Sequence, residues 1–146
     1  MHRFKDAEGR EWSLAINISQ KRAVQNRLNV DLSKLFENQF QPYIELMGDL
    51  AKFADVLFVL CEKEAITAGI DDYQFGSRLD GPALESAFEA FREELFNFFP
   101  DARFRDGLKA IHRKSEEIKN AALQKGMTAL DNVEITKAIE DLISRN

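Results

Sequence analysis

The side chains able to do chemistry in this chain are few and scattered. There are two histidines, His2 and His112, and a single cysteine, Cys61. His2 sits at a frayed terminus, and His112 runs into Arg113 and Lys114, an ordinary solvated setting. Asp71-Asp72 and Glu93-Glu94 are the carboxylate pairs worth weighing. Neighbours on a helix point about a third of a turn apart, so neither pair is a ready-made acid and base. Asp71-Asp72 is better explained as negative charge at a helix N-terminus. Cys61 lies in the most apolar stretch of the chain, where a thiol is an inert packing group rather than a nucleophile. One cysteine rules out an internal disulfide and a four-cysteine zinc site. No HExxH, CxxC, glycine-rich phosphate loop or G-x-S-x-G elbow is present. Gly9 precedes a strand, the reverse of the order a phosphate loop needs. The expectation is a protein with no catalytic residue, no cofactor and no metal site. Asp71 and Asp72 with a metal ion form the weakest, enzymatic alternative.

The elements that would position these residues are mostly helices. Leu50 to Gly69 is the organising stretch, with apolar residues on nearly every side from Phe53 to Cys61. A helix apolar all round is wrapped by other elements. It is too short to cross a bilayer, because Lys52, Asp55 and Glu62 to Glu64 interrupt it well below the roughly 20 apolar residues required. Asp49 reads as its N-cap and Gly69 as its stop. Ahead of it, residues 3–18 read as a β-hairpin: Trp12, Leu14, Ile16 and Ile18 alternate onto one face, and Gly9 supplies the turn. Ser19 is the expected cap of a helix over Gln20 to Leu28, with Ala23, Val24 and Leu28 inward. Asp31 caps a further turn, and Pro42 opens a short helix at Tyr43 to Met47.

After the central helix, Tyr73, Phe75 and Leu79 are the apolar members of a short turn or helix. Asp80-Gly81-Pro82 breaks the chain and starts another helix, with Pro82 expected at its first position. Leu84, Phe88, Phe91, Leu95 and Phe98 form a seam expected to pack on the central helix. Glu85, Glu89, Arg92, Glu93 and Glu94 are expected mostly outside it. Phe104, Leu108, Ile111, Ser115 and Ile118 stripe a charged helix ending around Gly126. Asp131 to Glu134 has capping-box spacing before an amphipathic terminal helix carrying Ile135, Ala138, Ile139, Leu142 and Ile143. The fold expected is therefore mainly α, an N-terminal β-hairpin followed by a helical bundle around a central buried helix. Residues 1–126 form one domain and 127–146 a loosely attached helix.

Composition narrows the function classes. At 146 residues, 45% hydrophobic and 31% charged, the chain is globular and of single-domain size. A net charge of -5 argues against nucleic acid as the main partner. No apolar h-region follows the start, so secretion by signal peptide is not expected. Twelve Phe against one Trp and two Tyr imply either a heavily aromatic core, the reading favoured, or rings exposed to a partner. Residues 1–36 hold seven basic and four acidic side chains, and residues 62–101 three basic and ten acidic. That asymmetry reads first as two solvated faces. It also fits self-association or a basic partner segment.

One resemblance sharpens this. Phe4, Asp6, Gly9, Arg10, Trp12 and Leu14 form the pattern F-x-D-x-x-G-R-x-W-x-L. Val30-Asp31-Leu32, D-V-L-x-V-L-C at Asp55 to Cys61, G-x-x-D-x-x-F at Gly69 to Phe75 and E-L-x-x-F-F-P at Glu94 to Pro100 accompany it. Over roughly residues 4–100 the chain resembles small phage and prophage proteins of the tail assembly chaperone type, from long-tailed bacteriophages. The resemblance implies a non-catalytic factor in the host bacterial cytoplasm that binds the tape measure protein and helps recruit the tail tube protein. It implies absence from the finished particle; from charge and helix length, neither nucleic acid nor a membrane is an expected partner. Candidate partner-binding residues are Trp12, Phe99, Phe104, Ile135, Ile139 and Leu142. The alternative is a structural tail or head-tail subunit that self-assembles, as a homo-oligomer, through the hairpin and the charge asymmetry.

Overall fold

Strands β1 (His2–Lys5) and β2 (Glu11–Leu14) form an antiparallel hairpin in which Phe4 faces Trp12 and His2 faces Leu14. The protein is described by a computed structural model covering residues 2–129, with side chains to residue 126. Phe4, Trp12 and Leu14 are buried, so the alternation expected of the second arm holds over the strand itself. The arm is shorter than expected. Ile16 is buried beyond the strand, but Ile18 is 54% exposed and opens helix α1 (Ile18–Leu28). The cap is Asn17 rather than Ser19: its side chain accepts from the Gln20 N–H at 2.9 Å, which starts the helix two residues earlier than expected.

Asn29 ends α1 in the left-handed region, and Asp31 caps a single 3-10 turn, Leu32–Lys34, accepting from the N–H and Oγ of Ser33. Helix α2 (Glu37–Gly48) is regular only from the neighbourhood of Pro42. Its first residues, Asn38, Gln39 and Phe40, take φ of 52°, 58° and 66°. No glycine is present to relieve them, and L-residues there cost about 1–2 kcal/mol each. Four rings surround this turn's neighbour Phe36, those of Phe40, Tyr43, Phe96 and Phe99, at 5.3 to 5.8 Å. Ring packing of this kind can offset the strain.

Helix α3 (Leu50–Ala68) is the centre of the core. Asp49 caps it and Gly69 ends it at φ 70°. Phe53, Val56, Leu57, Val59, Leu60, Cys61 and Ala65 are buried along it, which takes up more than one side of the helix. The elements around it are α1, α2, β2 and α4 (Asp72–Ser77). A full capping box, Asp71 with Gln74, opens α4, so Asp71 acts as helix-terminal charge. Of the apolar members of this segment, Phe75 is buried beneath the helix and Tyr73 is 82% exposed.

Helix α5 (Gly81–Phe98) is capped by Asp80, which puts Gly81 first and Pro82 second. The Phe seam reaches α3 as expected, with Phe53 4.6 Å from Phe88 and 5.3 Å from Phe91, centroid to centroid. Its principal neighbour, however, is β1. A second row, Ala83, Ala87, Ala90 and Glu94, is also buried. Glu94 on that row reaches His2 of β1, so these small residues let the helix lie close against the strand. Glu94 was expected outside; it is inside because β1 provides a polar partner for it.

The chain divides into two compact units, Met1–Asp101 and Ala102–Asn146. The described part of the second is one helix, α6 (Ala102–Ala129), which continues past Gly126. No described helix is long and apolar enough to cross a membrane.

Candidate partner-binding surface

The residues of the hairpin motif are bound to one another. The Asp6 carboxylate is fully buried. Its Oδ1 accepts from the backbone N–H groups of Glu8 and Arg10, and its Oδ2 from Trp12 Nε1, all at 2.9 Å. Gly9 closes the turn at φ 82°, donating its N–H to the Asp6 carbonyl. The Arg10 guanidinium lies 4.9 Å from the Trp12 ring centroid. From the loop after α4, Arg78 approaches Asp6 at 3.6 Å and Glu8 at 2.9 Å, and its carbonyl accepts from the Ala7 N–H. Burial works against the charge on Asp6, but the hydrogen bonds from Trp12, Arg10 and Glu8 and the charge of Arg78 outweigh it. The carboxyl is held below its usual range. The spacing D-x-x-G-R-x-W is thus the specification of a turn and its latch.

Two further polar groups tie the hairpin down. Glu94 accepts from His2 Nδ1 at 2.7 Å and more weakly from the Ile16 N–H at 3.4 Å. Burial again opposes ionisation and is outweighed by these bonds, so Glu94 also stays below the usual carboxylate range. Glu64 of α3 accepts from the Ser13 N–H at 3.0 Å. Cys61 is buried nearby, its Sγ 3.8 Å from the Ser13 carbonyl. Burial, helped by the charge of Glu64, pushes its thiol up to about 12. Among the described residues no group of three His, Cys, Asp or Glu side chains is placed to hold a metal ion.

The surface is where the remaining chemistry lies. A shallow cavity of about 760 Å³ opens between the start of α1 and the end of α5. Ile16, Ile18, Phe98, Phe99 and Pro100 provide its apolar wall, and Lys21 and Arg22 its basic rim. Lys21 is already engaged by Asp31 at 3.5 Å and Gln25 at 2.8 Å. Phe99 is half-buried, 5.6 Å from Phe36 and 5.8 Å from Phe98. A second cavity of about 490 Å³ lies beside α2, lined by carboxylates and lysines around Leu35, Pro42 and Leu46. It has no converging set of acids to give it chemistry.

The candidate residues therefore separate. Trp12 is wholly buried, edge-on to Phe75 at 5.0 Å, and presents nothing to a partner in this fold. Phe99 lines the groove. Phe104 is 43% exposed on α6. Ile135, Ile139 and Leu142 lie outside the described residues. Sequence reasoning missed Ile18 as a surface residue, because it carries the strand's alternation four residues past Leu14, where β2 ends. It also missed the Phe36 cluster, which sits on a segment without periodicity. No family model, curated protein or solved structure matches the chain. What fold and surface define is a class: a mainly α protein with an N-terminal hairpin, stapled from within and carrying a half-open aromatic groove.

Proposed function

We propose that the protein works by binding another protein, as a cytoplasmic assembly chaperone of the phage tail type, and that its partner is the long helical tape measure protein. The observation that supports this reading most is the groove of Ile16, Ile18, Phe98, Phe99 and Pro100, an apolar surface with a basic rim on a well-packed body. A helix with an apolar stripe is the natural occupant of such a groove. Elsewhere on the body, Ile44, Ile66 and Tyr73 are exposed on three different helices, α2, α3 and α4. The hairpin motif is spent on building the turn and its latch, which leaves recognition to the faces outside it.

Co-expression with the long helical product of the same gene cluster tests the reading. The expected result is a soluble complex, with the partner insoluble alone and Ile18→Asp or Phe99→Asp weakening the complex. A partner that remains insoluble and uncomplexed in the presence of this protein would refute it. Quantitative mass spectrometry of purified particles separates a chaperone, absent from them, from a structural subunit retained in stoichiometric amount.

A further inference from the structure

Along α6, Phe104, Leu108, Ile111, Ser115, Ile118 and Ala122 follow one another in alternating steps of four and three. A mean step of about 3.5 is the seam of a left-handed coiled coil. Leu108 is buried, but Ile111 and Ile118 are 51% and 62% exposed, and Ser115 and Ala122 are exposed with them. The open part of the seam runs from Ile111 to Ala122, about 16 Å.

The charges beside this seam have one sign. With Ile111 and Ile118 at d and Ser115 and Ala122 at a, the charges at e and g are Arg105, Lys114 and Lys119, and His112, Gly107 and Ala121 fill the remaining places. The acidic residues of the helix, Asp106, Glu116 and Glu117, fall at f, b and c, away from the seam. In a protein with net charge -5 this helix is basic on every side, with Arg103, Lys109 and Arg113 off the seam, and it is the acids that are kept away from the seam. A second copy would bring basic flank against basic flank in either orientation, which disfavours self-pairing. A helix with the same apolar spacing and acidic flanks would meet opposite charge on both sides of the seam.

We propose that this face of α6 is a docking seam for an acidic amphipathic helix of another polypeptide. The inference stands on α6 alone and goes beyond the groove reading, so either can fail without the other. The probe is a synthetic three-heptad helix with Leu and Ile in the seam and Glu at every e and g position, beside a twin with Lys at those positions. Binding to the full chain is read by fluorescence anisotropy at low salt. The Glu peptide is expected to bind about tenfold tighter than its twin and to weaken as salt rises. The double variant Ile111→Asp/Ile118→Asp should abolish binding, with helix content and melting temperature unchanged. Lys114→Glu/Lys119→Glu should invert the preference between the two peptides. Equal affinities, no binding of the Glu peptide, or binding retained by the double variant would overturn the proposal. So would a dimer in sedimentation equilibrium that the double variant dissolves, since that would assign the seam to a second copy.

Discussion

Asp6 is the residue on which the hairpin depends. Replacing it by alanine leaves the buried Trp12 N–H and two turn amides without their acceptor and leaves Arg78 paired with Glu8 alone. A buried donor left unmade costs about 1–3 kcal/mol, and the lost turn bonds add to it. Asp6→Ala should therefore lose about 3 kcal/mol in chemical denaturation, and Trp12→Phe somewhat less. A loss below about 0.5 kcal/mol would mean that the turn does not rely on this network. The acid limb of stability follows from the same groups. Asp6 and Glu94 both have lowered folded values, so the native state binds fewer protons than the unfolded chain. Their contribution is complete above the ordinary carboxylate range and is lost as pH falls through the folded values. The melting temperature should drop below about pH 4, and Asp6→Asn and Glu94→Gln should each flatten that drop. Cys61 provides a third readout. With its thiol pushed up to about 12, alkylation of the native protein at neutral pH should proceed only through unfolding, and its rate should rise with destabilising variants. Rapid labelling without unfolding would contradict the burial.

Among the elements, the helices that carry a clear period or a clear stop are the ones legible in the sequence. α3 lies where the apolar run and its caps Asp49 and Gly69 predict, and the Phe seam of α5 meets Phe53. The Ala83–Glu94 row was not legible, because small residues carry little hydrophobic signal and a glutamate reads as surface. Its burial depends on where β1 lies, which is a tertiary fact. The start of α2 was hidden for a different reason: Asn38, Gln39 and Phe40 are left-handed without a glycine to announce it. That segment yields its own prediction. Gln39→Gly should stabilise the protein by about 1 kcal/mol, since glycine takes φ of 58° without steric cost, less its greater freedom when unfolded. A destabilisation of similar size would show that Gln39 is held there by more than its backbone. Of the two aromatics singled out in the body, Phe99 lines the groove and Trp12 is buried: a large aromatic after a turn looks the same in the sequence whether its ring points in or out.

For the molecule as a whole, the account separates two jobs. The hairpin motif, the buried carboxylates and α3 hold the body together, and the groove and α6 are the faces proposed to meet other polypeptides. The measurement that tests this most directly is hydrogen exchange, followed residue by residue, on the chain alone and in complex with the helical partner. Amides around Ile16 to Arg22 and Asn97 to Pro100, or along Ile111 to Ala122, should exchange more slowly in the complex, while those of Asp6 to Trp12 stay unchanged. A complex whose protection falls on the hairpin turn, with the groove and α6 unaltered, would contradict the account.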